Sequence, residues 1–113
     1  MKIVIKQYKV DEFVKSTLTL FPKIRKEKGN ISNYVCQDTE KENLYIVVGE
    51  WKTKKAMDKH FNSQNYELLI GAARVLGDSF EMNFGKMTET VGFELAKDQI
   101  KSQKWIYLLS DKK

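Results

Sequence analysis

Apolar residues along this chain follow two different periods. Alternation with polar residues is typical of strands, because successive side chains point to opposite faces. It marks four segments, residues 2–8, 31–38, 44–52 and 79–87. Recurrence every three to five residues, which is typical of helices, marks residues 13–24 and 57–76. The order strand, helix, strand, strand, helix, strand predicts an α+β fold of ferredoxin-like type, an antiparallel sheet with its helices on one face.

Local signals refine the helix boundaries. Asp11 and Thr53 are placed to cap the two helices, and Gly29 is expected to end the first. Pro22 is expected to kink or break that helix, because proline lacks a backbone donor and clashes with the preceding turn. The polar run of residues 62–65 is expected to bend or interrupt the second helix.

The third strand is apolar on both of its faces. Leu44, Ile46 and Val48 alternate along it with Tyr45, Val47 and Trp51. The helices of the chain can cover one face, and a second subunit is the natural cover for the other. The sequence therefore predicts a homodimer built on the outer face of the sheet.

The length of 113 residues suits one domain. We assign residues 1–87 to that domain and residues 88–113 to a C-terminal extension. Within the extension, residues 105–109 form an apolar run, Trp-Ile-Tyr-Leu-Leu. Burial of such a run is favourable, so we expect the extension to pack on the domain or on its dimer partner.

The formal charge of +5 is spread over lysines that alternate with acidic residues, as in Lys26-Glu27-Lys28. This pattern is typical of a solvated surface, so we expect neither a nucleic-acid nor a membrane partner. The N-terminal apolar run is too short for a signal peptide. A single cysteine, Cys36, rules out an internal disulfide. Its thiol is expected to stay reduced, which suits a cytoplasmic location.

The same composition bears on cofactors. Cys36 and His60 are the only residues of their types, which excludes a Cys/His zinc cluster within one chain. The chain also lacks a Gly-x-Gly-x-x-Gly loop for a dinucleotide. We therefore expect no cofactor.

An ordered set of residues resembles the antibiotic biosynthesis monooxygenase (ABM) family. The matching positions are Gly29 after the first helix, Tyr34 in the second strand, Glu50-Trp51 closing the third, and His60 and Tyr66 around the polar break in the second helix. The resemblance covers residues 1–87 and implies a dimeric α/β barrel, in which the sheets of two subunits face each other, with a pocket between each sheet and its helices. Some members oxygenate phenols or quinols without metal or flavin, and others degrade haem.

The resemblance implies a cofactor-independent monooxygenase acting on a small phenolic or quinol-type compound. In such a reaction the substrate donates electrons to O₂, and the protein removes its proton and stabilises the anion. His60 is the candidate base because imidazole exchanges protons near neutrality, and Arg74 is the candidate anion stabiliser. The candidate substrate-binding residues are Tyr34, Trp51, Asn65 and Tyr66.

A non-catalytic ligand-binding or structural dimer of the same fold is the alternative. In that interpretation His60 is a packed or surface histidine, Trp51 fills the core, and Glu50 caps a helix or pairs with a lysine. An enclosed cavity reached by His60, Tyr66 or Arg74 would favour the enzyme, and a filled core would favour the alternative.

Two further functions are disfavoured. Haem-degrading relatives use a histidine in the second half of helix two as iron ligand, and residues 69–73 contain none. RNA-recognition domains of the same topology carry a Gly-rich aromatic motif in strand three, which residues 44–51 do not match.

Overall fold

A computed structural model describes residues 1–87, of which Met1–Asn83 form one compact unit. In chain order the elements are β1 (Lys2–Ile5), α1 (Val10–Arg25), β2 (Asn30–Gln37), β3 (Leu44–Trp51), α2 (Lys54–Phe61), α3 (Gln64–Leu76) and β4 (Gly77–Glu81). The strands form one open antiparallel sheet in the order β2-β3-β1-β4. The ferredoxin-like α+β prediction is confirmed. The extension of residues 88–113 lies outside the described residues.

The core lies between one face of the sheet and helices α1 and α3. From the sheet it takes Ile3, Ile5, Tyr45 and Val47, and from the helices it takes Phe13, Leu20, Phe21, Ile24, Leu69, Ala73 and Leu76. The predicted division of β3 into two faces is confirmed, because Tyr45 and Val47 are buried beneath the helices. Burial of this continuous apolar layer is the main stabilising contribution to the fold.

The outer face of the sheet remains apolar at its centre. Ile46 is 37% exposed and Tyr34 is 44% exposed. Tyr34 pairs with Val48 across the β2–β3 ladder, and Cys36 pairs with Ile46, so all four side chains share this face. No element within residues 1–87 covers it.

Of the kink or break predicted at Pro22, the break does not occur, since α1 runs without interruption from Val10 to Arg25. The missing donor of Pro22 would have bonded the carbonyl of Leu18, four residues earlier. Leu18 is 71% exposed, and water can satisfy its carbonyl. The proline therefore lies on the solvent side of the helix, where its cost is smallest.

The predicted ends of α1 are also wrong. Lys9 occupies the N-cap position and makes no side-chain cap hydrogen bond, while Asp11 lies within the first turn. There its charge still favours the helix through the dipole. The helix ends at Arg25, and Gly29 lies farther on, in the turn that leads into β2.

The predicted interruption of the second helix is confirmed, and it separates α2 from α3. The Thr53 Oγ1 atom accepts a hydrogen bond from the Ala56 amide at 3.0 Å. The Ser63 Oγ atom accepts one from the Tyr66 amide at 3.1 Å. Each hydroxyl satisfies an amide that the first turn of a helix leaves unpaired. Strands β1 and β4 end earlier than predicted, at Ile5 and Glu81. Among the helices of residues 1–87, none is long and apolar enough to cross a membrane.

Candidate functional site

His60 lies near the end of α2, and its side chain is buried at 6% exposure. The imidazole stacks on Trp51 with ring centroids 4.6 Å apart. The ring of Tyr66 meets it edge-on at 5.3 Å, and Phe61 lies at 6.0 Å. Aromatic rings thus hold the orientation of the imidazole.

A carboxylate reaches the imidazole from the turn between α1 and β2. The Glu27 Oε1 atom lies 2.8 Å from His60 Nδ1. The other oxygen, Oε2, accepts a hydrogen bond from the Asn65 amide at 2.7 Å. Glu27 therefore links its own turn to both α2 and α3, with both carboxylate oxygens engaged.

The turn is held against α2 by a close backbone approach. Gly29 has a φ of +88°, and a Cβ atom at this position would lie 2.5 Å from the Ala56 Cβ. Its carbonyl accepts a hydrogen bond from the Lys52 amide at 2.8 Å. Glycine is suited to both conditions, because it lacks a Cβ and adopts positive φ at little cost. The contact brings Glu27 within reach of His60.

The break between α2 and α3 brings Asn65 to the same place. The Ser63 hydroxyl donates a hydrogen bond to the His60 carbonyl at 2.6 Å while it accepts one from the Tyr66 amide. The chain therefore reverses into α3 directly after His60. Asn65 and Tyr66, in the first turn of α3, return toward the imidazole and Glu27.

A buried amide lies on the helix-facing side of the sheet. Asn33 is 5% exposed, and its Nδ2 atom has no hydrogen-bond partner among the described residues. The facing residue is Gly49, where a Cβ atom would meet Asn33 Oδ1 at 3.0 Å and Trp51 Nε1 at 3.4 Å. Asn33 thus contributes a buried donor near Trp51, and an unpaired buried donor is costly unless a ligand or water accepts from it.

A groove of about 720 Å³, open to solvent, lies along α3. Residues that line it include Phe61, Tyr66, Ile70 and Arg74. The Tyr66 hydroxyl donates to the Met82 Sδ atom at 3.5 Å, and burial raises the pKa of Tyr66 above its ordinary value. Tyr66 therefore stays a neutral donor across the physiological range, and its ring contacts both the groove and His60.

The structure brings most, but not all, of the predicted site residues together. His60, Trp51, Asn65 and Tyr66 form one cluster. Arg74 lies along the groove that Tyr66 also lines, and its side chain is exposed. Tyr34 lies on the opposite, outer face of the sheet, so it does not join the cluster.

Glu50 also points away from the cluster. Its Oε1 atom accepts a hydrogen bond from the Ser32 hydroxyl at 2.5 Å across the β2–β3 ladder. It neither caps α2, whose N-cap is Thr53, nor forms an ion pair among the described residues.

Two residues of the site, Glu27 and Asn33, were missed by the sequence analysis. The only signal for Glu27 was its position two residues before Gly29.

Comparisons with known proteins agree with this fold. Residues 1–70 match the sequence profile of the family described as antibiotic biosynthesis monooxygenase, ABM. No curated protein matches the chain. A solved structure of a conserved protein from Methanosarcina mazei Go1 is similar with a TM-score of 0.66 and 26% identity, covering 70% of this chain and 78% of that one.

Two further solved structures share the fold at lower identity. A protein named antibiotic biosynthesis monooxygenase has a TM-score of 0.64 and 18% identity, covering 70% of this chain and 83% of that one. A Deinococcus radiodurans protein that carries the same family name has a TM-score of 0.67 and 15% identity, covering 80% and 94%. Because the family profile matches more than half of the chain, this protein belongs to the antibiotic biosynthesis monooxygenase family.

Proposed function

We propose that this protein is a cofactor-independent monooxygenase that acts on a small phenolic or quinol-type aromatic compound. The observation that carries the proposal is the environment of His60, a buried imidazole with a carboxylate on Nδ1 and aromatic rings around it. Such an environment suits proton removal from a phenol, because it orients the base and excludes water. Membership of a family named for monooxygenases supports the same reaction class.

The reaction needs no electron carrier when the ring itself is the reductant. His60 removes the phenolic proton, and the resulting phenolate passes an electron to O₂. Recombination at a ring carbon, with return of the proton, forms a hydroperoxide. Loss of water then leaves a quinone, so one oxygen atom enters the product and the other leaves as water. The sequence favours this route, since its single Cys and single His provide no Cys/His metal cluster.

The groove along α3 is the proposed point of entry. The rings of Phe61 and Tyr66, with centroids 5.0 Å apart, offer an aromatic surface, and Arg74 offers a cation to the developing anion. The proposed path from the groove to His60 passes Tyr66, whose ring contacts the imidazole. The Asn33 Nδ2 atom, which has no hydrogen-bond partner within residues 1–87, supplies a buried donor on the helix-facing side of the sheet.

Oxygen uptake by chelator-treated protein tests this function. With a panel of dihydroxy-aromatic compounds, we expect consumption above the buffer rate with at least one compound. His60→Gln is expected to abolish it, because glutamine keeps a donor for Glu27 but cannot accept the proton, and Arg74→Gln is expected to reduce it. Lys59→Ala removes an exposed cation beside His60 and should leave the rate unchanged. Uptake at the buffer rate, or equal uptake in His60→Gln, would contradict the proposal.

A non-catalytic ligand-binding protein is the second candidate function. The observation that favours it is the groove, which is open and is lined by Tyr66 and Arg74 but not by His60. A compound that quenches tryptophan fluorescence on binding, with an affinity that depends on Arg74 and without oxygen uptake, would support this function over the enzyme.

The proposed biological unit is a homodimer in which the outer sheet faces of two copies meet. The half-exposed side chains of Tyr34 and Ile46 lie on this face, and sheet-to-sheet pairing is what the family resemblance implies. A stable interface of this kind buries at least about 1,000 Å² in total. Removing these apolar side chains from water stabilises the pair.

Sedimentation equilibrium at micromolar concentration is expected to give the mass of a dimer. Ile46→Lys places a charge at the centre of the outer face and should shift the protein toward monomer, because burying an unpaired charge is costly. Val75→Lys, at a position 65% exposed on α3, is the matched control and should remain dimeric. A monomeric wild-type protein would refute the dimer.

A further inference from the structure

We propose that Glu27 is a positioning residue that holds the His60 imidazole in the tautomer protonated at Nδ1, so that Nε2 is the atom that accepts the substrate proton. Its consequence for catalysis rests on the monooxygenase function proposed above for the same site. The tautomer itself is a property of the resting protein and can be measured without turnover.

The hydrogen-bond chemistry of the two groups sets the tautomer. A neutral imidazole has one N–H donor and one nitrogen acceptor, whereas an ionised carboxylate only accepts. The Glu27 Oε1 atom lies 2.8 Å from Nδ1, so the shared proton belongs to Nδ1. The Nε2 atom then carries the lone pair, and it has no hydrogen-bond partner among residues 1–87.

The Glu27 carboxylate is itself held in place, so its contact with His60 differs from a flexible ion pair on the surface. Asn65 donates to Oε2 at 2.7 Å, and the Glu27 side chain is only 18% exposed. The turn that carries it is fixed two residues later, where Gly29 packs on Ala56. Glu27 therefore cannot move away from Nδ1 without breaking contacts to both α2 and α3.

The imidazole ring is equally restricted on its own side. Trp51 stacks on one face of the ring at a tilt of 26°, and Tyr66 meets it at 71°. A ring flip that replaced Nδ1 by Cδ2 beside Glu27 would have to disturb both aromatic contacts. Glu27 and the two rings together present a single nitrogen, Nε2, to an incoming hydroxyl.

This arrangement defines the proton-transfer step. The phenolic O–H bond breaks, an N–H bond forms at Nε2, and the electron pair stays on the phenolate oxygen. The imidazolium that results donates from Nδ1 to a carboxylate of opposite charge, a charge-assisted hydrogen bond. The same Nε2 proton then returns to the peroxide oxygen formed from O₂, so His60 ends the cycle neutral.

Nitrogen NMR gives a direct test, because His60 is the only histidine of the chain. Long-range proton–nitrogen correlation on ¹⁵N-labelled protein, in mildly alkaline buffer, reports which nitrogen carries hydrogen. We expect a protonated Nδ1 and an unprotonated Nε2 in the wild type. In Glu27→Ala the two nitrogen signals should converge or exchange places, because the acceptor that selects the tautomer is gone.

Two control variants separate positioning from general damage. Glu50→Ala removes another hydrogen-bonded glutamate, on the outer face, and should leave the spectrum unchanged. Asn65→Ala should keep the Nδ1–H tautomer, since the contact between Glu27 and His60 survives. A wild-type spectrum with the proton on Nε2, or an unchanged spectrum in Glu27→Ala, would overturn the proposal. If Glu27→Ala fails to fold, the wild-type spectrum alone still decides.

Turnover forms a separate arm of the experiment. If the enzyme oxygenates a compound, kcat should fall by about tenfold or more in Glu27→Ala, with a smaller change in KM. A confirmed tautomer without any oxygen uptake would reject the monooxygenase function and leave the positioning role standing. Oxygen uptake with the proton on Nε2 would reject the positioning role alone.

Discussion

Replacing Phe13 with alanine is expected to lower the free energy of unfolding by about 3–5 kcal/mol. Phe13 lies in α1, is 1% exposed, and packs its ring 4.9 Å from the ring of Tyr45 in β3. The deletion removes the apolar area that joins the helix to the sheet and leaves a cavity that the rigid strands cannot close. Urea denaturation with an unchanged m value measures the loss.

Leu18→Ala is the matched control for this experiment. Leu18 lies on the same helix but is 71% exposed, so its replacement should change the stability by less than about 0.5 kcal/mol. The protein concentration must be equal in all samples, because dimerisation would add to the measured stability. A loss below about 1 kcal/mol for Phe13→Ala would contradict the position of the core described above.

The faces of the sheet could be predicted from the sequence because strand periodicity leaves little freedom. A period of two assigns each side chain of β3 to one face, and in the structure Tyr45 and Val47 share the buried face, whereas the sequence did not show which face the helices cover. The start and the interruption of the second helix could also be predicted from local signals. Thr53 caps α2, and Ser63, within the polar run of residues 62–65, caps α3.

Pro22 shows where a local rule fails, and Tyr34 lies apart from the other residues with which the family pattern had grouped it. The cost of Pro22 depends on which side of α1 faces solvent, and a rule based on proline alone ignores this orientation. Tyr34 was grouped with the site by its place in the family pattern. Its pairing with Val48 instead puts it on the outer face, where it belongs to the proposed dimer interface.

Glu27 was missed for a different physical reason. Its neighbours Lys26 and Lys28 gave it the pattern of a solvated surface. Its partner His60 is 33 residues away along the chain, and only the fold brings the two together. Contacts at such sequence separations produce no periodic pattern in a single sequence, so His60 could be selected as a candidate but its hydrogen-bond partner could not.

Replacing Gly29 with alanine is expected to destabilise the protein by about 2–5 kcal/mol. Two costs add here. A residue with a Cβ atom at a φ of +88° loses about 1–2 kcal/mol to backbone strain. The new methyl group would also lie 2.5 Å from the Ala56 Cβ, and such overpacking typically costs about 1–3 kcal/mol. Urea denaturation beside the wild type measures the sum.

Gly71→Ala provides the opposite expectation within the same fold. Gly71 lies inside α3, and a Cβ atom there would meet nothing within 4 Å. Alanine should therefore stabilise the protein by about 0.5–1 kcal/mol, because it lowers the entropy cost of forming the helix. If both variants changed the stability equally, the close contact between the Glu27 turn and α2 would be refuted.

In Gly29→Ala the turn must move away from Ala56, so the contact between Glu27 and His60 should weaken as well. The imidazole nitrogen spectrum would report this change.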